Sequence, residues 1–316
     1  SSGKEEYIMA DISAKDVATL RERTGVGIMD CKRALVETEG DMEKAIVVLR
    51  EKGLATQAKK SGRVASEGIV TSVVDEDKKA GVVLEVNSET DFVAKNQEFK
   101  SFVDSVATTI INENPADVEA LNATKMFGSD ITVAEALQEL FLKIRENMQI
   151  RRFVRMEGVL VSYVHGDGQF GVMVKMDTDI DASNEKLIAC GKDICLQITS
   201  MNAGYLNKES VPAEVLDSER TIMLAQMSED PKMANKPEQV KNKIVDGKIT
   251  KYYTENCLLE QEFVKDGDLT VGKYVEKVAK ELGGKISIVD FVRFERGEGI
   301  EKKADNFADE VASMIK

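Results

Sequence analysis

The feature that most constrains what this chain can fold into is that part of it is written twice. Glu67-Gly68-Ile69-Val70-Thr71-Ser72-Val73-Val74 aligns with Glu157-Gly158-Val159-Leu160-Val161-Ser162-Tyr163-Val164, and the offset of 90 continues without a gap to Val86 and Met176. Seven of those 20 positions are identical, and most of the others are apolar in both copies. Each copy predicts a β-hairpin followed by a helical pattern, over 98–111 in one and 184–199 in the other. A shorter repeat, Phe153-Val154-Arg155-Met156-Glu157 and Phe291-Val292-Arg293-Phe294-Glu295, predicts a strand that closes each half. The simplest architecture is α+β: a duplicated core of two halves, each a small antiparallel sheet with helices on one face.

The rest of the chain divides by composition. Residues 1–8, ahead of Met9, read as a tag remnant. Residues 9–55 read as three short helices. Ser13 caps the first, which carries Val17 and Leu20 on one face, and Thr24-Gly25-Val26-Gly27 breaks it; the second spans about 28–35; Asp41 caps the third, with Ala45, Ile46 and Leu49 inward. The basic run from Lys52 to Arg63, with a glycine near each end, reads as a linker at 56–63. The first half then takes 64–156, and the second takes 157–199 and 258–298. The interruption, 200–257, holds three of the four prolines and two helical patterns, 213–227 and 238–253, about a polar turn. Val215, Ile222 and Gln226 mark one face and Val240 and Ile244 the other, which predicts a projecting helical hairpin. Residues 299–316 end in the stripe Ala304, Phe307, Ala308, Val311, Ile315, an amphipathic helix that docks on its own domain or on a partner.

Composition narrows the function. With 316 residues, 42% hydrophobic and 31% charged, the chain can bury a sizeable core. A formal charge of −13 argues against a general nucleic-acid binder, which needs a basic surface to meet phosphates. No apolar run approaches the ~20 residues of a membrane helix. Cys31, Cys190, Cys195 and Cys257 include no C-x-x-C pair, and His165 is the only histidine, so the thiols read as reduced and buried in a cytoplasmic protein, with no metal site. No Walker A pattern occurs. Gly166-Asp167-Gly168-Gln169-Phe170-Gly171 matches G-x-G-x-x-G, but it joins two strands of a hairpin and reads as turn chemistry.

Between the first hairpin and its helix lies Asn87-Ser88-Glu89-Thr90-Asp91-Phe92-Val93-Ala94-Lys95. Thr90 or Asp91 can cap a helix start there. Phe92 then falls on the first turn, at the rim of a sheet. On residue physics alone such a Phe packs into the core; the alternative is an apolar wedge beside a negative charge.

Gly81-Val82-Val83-Leu84-Glu85-Val86-Asn87 followed by Thr90-Asp91-Phe92-Val93-Ala94-Lys95 resembles one signature of the elongation factor Ts family. Arg21-Glu22-Arg23-Thr24-Gly25-Val26-Gly27-Ile28-Met29-Asp30-Cys31-Lys32 resembles its other signature. The two stand in the family's order, and the likeness runs from about Met9 to the C-terminus.

The resemblance implies a guanine nucleotide exchange factor for the GTPase elongation factor Tu, acting in translation. It implies a ubiquitin-associated-like bundle at the N-terminus, a coiled-coil hairpin at 200–257 and a terminal helix that packs on the GTPase through residues such as Phe307 and Val311. Within the motif Thr90, Asp91, Phe92, Val93, it implies that Asp91 and Phe92 enter the GTPase near its Mg²⁺ and phosphate site. It implies further contacts from Ile28, Met29 and Lys32, and from His165 in Tyr163-Val164-His165-Gly166. The partner would be elongation factor Tu, GDP-bound and nucleotide-free, in a heterodimer or a two-plus-two assembly. Exchange requires no bond-making by this chain, so no catalytic residue and no cofactor are expected; the location implied is the cytoplasm of bacterial type, with an organelle left open. Two other classes stay open: an adaptor or chaperone-like module built on the N-terminal helices, and a hydrolase, which would have to use His165.

Overall fold

The computed structural model describes residues 12–301; residues 1–8, expected as a tag remnant, and the stripe with Phe307 and Val311 lie outside the described residues. Three helices come first, α1 (Ala14–Thr24), α2 (Ile28–Glu37) and α3 (Met42–Lys60). Ser13 Oγ accepts the Asp16 N–H and Asp41 Oδ1 the Lys44 N–H, as their cap positions require. Gly25 ends α1 in the left-handed region at φ 69°. Leu20, Leu35, Ala45 and Leu49 close a small core, which also takes in Leu142 from a later helix.

Next come β1 (Glu67–Asp75), β2 (Ala80–Ser88), the one-turn helix α4 (Asp91–Ala94), α5 (Gln97–Glu113), α6 (Val118–Asn122), α7 (Val133–Ile144) and β3 (Met148–Glu157). The strands form an antiparallel sheet of order β1-β2-β3. After β4 (Val159–His165), β5 (Phe170–Thr178) and α8 (Glu185–Met201), the chain leaves through α9 (Ala213–Glu229) and α10 (Glu238–Asn256). It returns through β6 (Glu262–Phe263), β7 (Asp266–Thr270), α11 (Val271–Glu281) and β8 (Ile286–Glu295). The second sheet has order β4-β5-β8.

The likeness between these parts reaches small details. The register slips between Glu85 and Val86 against β3, and between Lys175 and Met176 against β8, again 90 apart. Asn96 and Asn184 each accept two backbone N–H groups at the start of α5 and α8. Asn114 and Asn202 end those helices at φ 47° and 46°. Layers follow from the packing. Leu84, Val86, Phe99, Val103, Ile110 and Phe141 fill the space between the first sheet and its helices. Val172, Val174, Leu187, Ile194 and Val275 do so for the second. The sheets' other faces meet across Val70, Val83, Met156, Leu160, Met173 and Phe294. The order is therefore helices, sheet, sheet, helices, and β2, covered on both sides, is buried along its whole length. Two glycines 90 apart let the sheets approach. A Cβ on Gly81 would lie 2.7 Å from Met173 Cε, and one on Gly171 2.6 Å from Val70 Cγ1.

Two readings need correction. Residues 56–60 are not linker but the last turns of α3. Gly53, near the start of that basic run, is a point of close approach: a Cβ there would lie 2.1 Å from Leu142 Cδ2. The basic tail is anchored by Lys60 Nζ, which donates to Arg145 O. In the α9–α10 hairpin the α9 side of the inner seam is one residue off the expected stripe. Leu216, Met223 and Met227 face Val245, Ile249 and Tyr253, with Ile244 packed against them as expected, whereas Ile222 and Val240 are exposed. Flexible methionines, Met223, Met227 and Met233, fill the seam.

Candidate functional site

Building from the backbone, β2 ends at Ser88 and the chain turns out of the sheet into α4. Thr90 is its cap, and every polar group of Thr90 is used. Its Oγ1 accepts from Val93 N–H at 3.4 Å and donates to Glu146 Oε1 at 2.8 Å; its N–H donates to Glu146 Oε2 at 3.2 Å; its carbonyl accepts from Ser88 Oγ at 2.8 Å. A reciprocal bond runs from Asn147 N–H to Glu89 Oε1 at 3.1 Å, and Arg63 approaches Glu89 at 3.8 Å. The one-turn helix is too short to hold itself, so these side chains hold it. Val93 is buried in the first core, and serves as footing rather than contact surface. Phe92 points the other way: 79% of it is exposed, the largest exposure among the large apolar side chains described. Asp91 is exposed beside it. The expectation from residue physics, a core Phe, is overturned because Val93 occupies the inward position and the cap turns Phe92 outward.

The N-terminal helices bring a second apolar surface to the same region. Ile28 and Met29, on the first turn of α2, are 50% and 63% exposed. Asp30, next to them, meets Arg145 Nη2 at 3.4 Å, and Arg145 precedes the Glu146 that holds Thr90. A bonded path thus links α2 to the tip. Lys32 and Ile28 line one side of a cavity of about 810 Å³ with Val17, Ala18 and Arg21.

His165 is the last residue of β4 and is exposed. The turn that follows uses Gly166, Asp167 and Gly168 at positive φ, which is the turn chemistry expected of the glycine pattern. This turn lies on β1, where the Val70 N–H donates to Gly168 O. Val70 is three residues from Glu67, the partner of Ser88, so the turn after His165 crosses β1 near the end of that strand from which the tip departs, with roughly 10 Å of strand between Val70 and Glu67. The His165 ring is bonded to Tyr163, with Oη to Nδ1 at 2.8 Å, and lies 6.2 Å from the Phe170 ring.

The sequence reading named Thr90, Asp91 and Phe92 but missed Glu146, Glu89 and Tyr163, which orient them and His165. A signal was present: the closing-strand repeat, extended backwards by 138, sets Glu146 against Gly284 and Arg145 against Gly283. All four cysteines are free and buried. Burial pushes the Cys190 thiol up to about 11 and that of Cys195 to about 12. Among the described residues no group of three or more His, Cys, Asp or Glu side chains could hold a metal ion. No described helix is long and apolar enough to cross a membrane.

A family model described as Elongation factor TS matches residues 89–298. The chain is 52% identical over 306 residues to elongation factor Ts of Clostridium perfringens strain SM101, covering 96% of this chain and 99% of the relative. It is 48% identical over 307 residues to elongation factor Ts of Clostridium botulinum strain Eklund 17B, with the same coverage. The chain belongs to the elongation factor Ts family. That membership makes it a translation elongation factor, α+β with small antiparallel sheets.

Proposed function

We propose that this chain binds elongation factor Tu in its GDP-bound form and speeds GDP release, acting as an exchange factor rather than an enzyme. The observation that carries the reading is Phe92. A large aromatic side chain is held 79% exposed on a single helical turn that Glu146, Ser88 and Val93 fix in place. Exposure of this kind costs free energy in the isolated protein and is recovered only against another surface.

Exchange needs tighter binding to the nucleotide-free GTPase than to the GDP-bound one. By linkage the two ligands weaken each other by the same factor. Burying one phenyl ring supplies roughly 1.5–3 kcal/mol, which is about 10- to 150-fold in GDP affinity if the ring is buried only when the nucleotide leaves. Asp91 adds a negative charge beside the ring, where it competes for the partner's Mg²⁺. Ile28, Met29 and Lys32 dock the N-terminal helices on the same partner as a ubiquitin-associated-like module, and His165 with the second sheet reaches another part of it. Phe307 and Val311, outside the described residues, would form a further contact. The hairpin at 200–257 is an accessory arm.

The test is Phe92→Ala, followed by a thermal melt and by stopped-flow release of fluorescent GDP from elongation factor Tu. Expected is an unchanged melting temperature with release slowed about 10- to 150-fold. A variant that melts far lower, or that releases GDP at the original rate, refutes the wedge.

A further inference from the structure

Tyr163 and His165 stand two residues apart on β4, hence on one face of the strand. The Tyr163 ring packs against the second core, so its hydroxyl emerges from a fixed base. It meets His165 Nδ1 at 2.8 Å. The cross-strand neighbour Phe170 faces the same imidazole, with centroids 6.2 Å apart, and the Arg293 guanidinium lies over the Phe170 ring at 4.9 Å. The imidazole is thus held from two sides although it is exposed. Among the described residues the hydroxyl is its one hydrogen-bond partner, and Nε2 has none.

The direction of that bond decides what His165 can offer. A phenol is a strong donor and a poor acceptor, and the unprotonated nitrogen of a neutral imidazole is a strong acceptor. The Tyr163 O–H therefore donates to Nδ1, and the ring proton sits on Nε2. We propose that Tyr163 is a positioning residue that fixes His165 as the Nε2–H tautomer, so that this end of the second sheet presents a hydrogen-bond donor to an acceptor on the partner, a carbonyl or a carboxylate. The proposal rests on the reading of His165 as a partner-facing residue. It adds the sign of the contact and the residue that sets it.

His165 is the only histidine, so its ring nitrogens can be read without assignment. In the free full-length protein at about pH 8.5, where an ordinary imidazole is neutral, two-bond ¹⁵N–¹H spectra should show Nε2 as the protonated nitrogen. In Tyr163→Phe the two nitrogens should move toward each other, as the tautomers begin to mix. Affinity for nucleotide-free elongation factor Tu should fall about threefold to tenfold in Tyr163→Phe, the worth of one aligned hydrogen bond. The same substitution should have no further effect once His165 is Ala. Protonation at Nδ1 in the parent protein, or identical ring shifts in Tyr163→Phe, overturns the proposal. If the spectra behave as expected but His165→Ala binds as tightly as the parent, the contact reading of His165 fails and the donor has no recipient. If His165→Ala weakens the complex while Tyr163→Phe does not, His165 is a contact and Tyr163 does not set it.

Discussion

Eight residues, 89–96, join β2 to α5 in the first half, and six, 179–184, join β5 to α8 in the second. Up to β2 and β5 the halves run at an offset of 90; from the caps Asn96 and Asn184 onward they run at 88. The two extra residues of the first half lie in the tip. What the halves share is the footing. Glu89 accepts the Asn147 N–H, and Asp179, its equivalent, accepts the Lys285 N–H at 2.7 Å. What they do not share is the hold above it. Glu146 takes both hydrogens of Thr90, whereas its equivalent Gly284 leaves no room: a Cβ there would lie 2.6 Å from Asp179 Oδ1 and from Ile180 Cγ1. The second loop closes on itself, with the Ser183 N–H and hydroxyl both donating to Asp181 Oδ1. The contrast teaches that one scaffold can present a projecting aromatic or a flat turn, and that two residues and one carboxylate make the difference.

The strongest way to break this comparison is in the cores. Phe99 and Leu187 are equivalent and both fully buried. Phe99→Ala should cost about 3–5 kcal/mol and Leu187→Ala about 2–5 in chemical unfolding; a near-zero cost in either would mean the halves do not share a packing plan. Next comes the hold on the loops. Gly284→Ala should cost about 1–3 kcal/mol through overpacking, with GDP release unchanged. Glu146→Ala should do the reverse, slowing release about threefold to tenfold with little loss of melting temperature. Grafting tests sufficiency: Ala182→Phe in a Phe92→Ala background should restore no exchange, and recovery would show that position alone makes a wedge.

A smaller effect is expected at high pH. Cys190 and Cys195 occupy the places of Phe102 and Ala107 in the first half. Their folded pKa values are raised above the ordinary 9.0 to about 11 and 12, so the fold favours the neutral thiols. Their contribution is intact below about pH 9 and is lost as pH rises through 11 and 12. Amides of the second half should therefore lose protection first in an alkaline titration. The smallest effect concerns Arg145, held at φ 65° where its equivalent is Gly283 at 68°. Arg145→Gly should relieve roughly 1 kcal/mol of left-handed strain, while loss of the 3.4 Å contact to Asp30 offsets it, leaving unfolding nearly unchanged.

Much of this was legible because it is local or repeated. The hairpins followed from the repeat, the caps Ser13, Asp41 and Thr90 from their position before apolar runs, and Gly166 and Gly168 from turn chemistry. What was not legible depends on residues far apart in the chain. Gly53 looks like the edge of a linker until Leu142, 89 residues on, is placed against it. Phe92 looks like core until Glu146 turns its helix. Glu85, in the middle of β2, is fully buried and accepts from Arg151, Arg152, Asn87 and the Gly297 N–H. Sequence spacing carries no sign of such pairings, since the energy that fixes them comes only once the sheets have stacked.

The continuity of α3 has a consequence for association. A flexible join at 56–60 would have made the surface of Ile28 and Met29 and the surface of Phe92 two tethered ligands, coupled only by an effective concentration that falls as the tether lengthens. Instead, 19 residues of unbroken helix, seated through Gly53 on Leu142 and through Lys60 on Arg145, fix the distance between those surfaces before any encounter. If the proposed function holds, no linker entropy is lost when the second surface engages, and a partner whose two receptor sites lie at any other spacing is rejected by geometry alone.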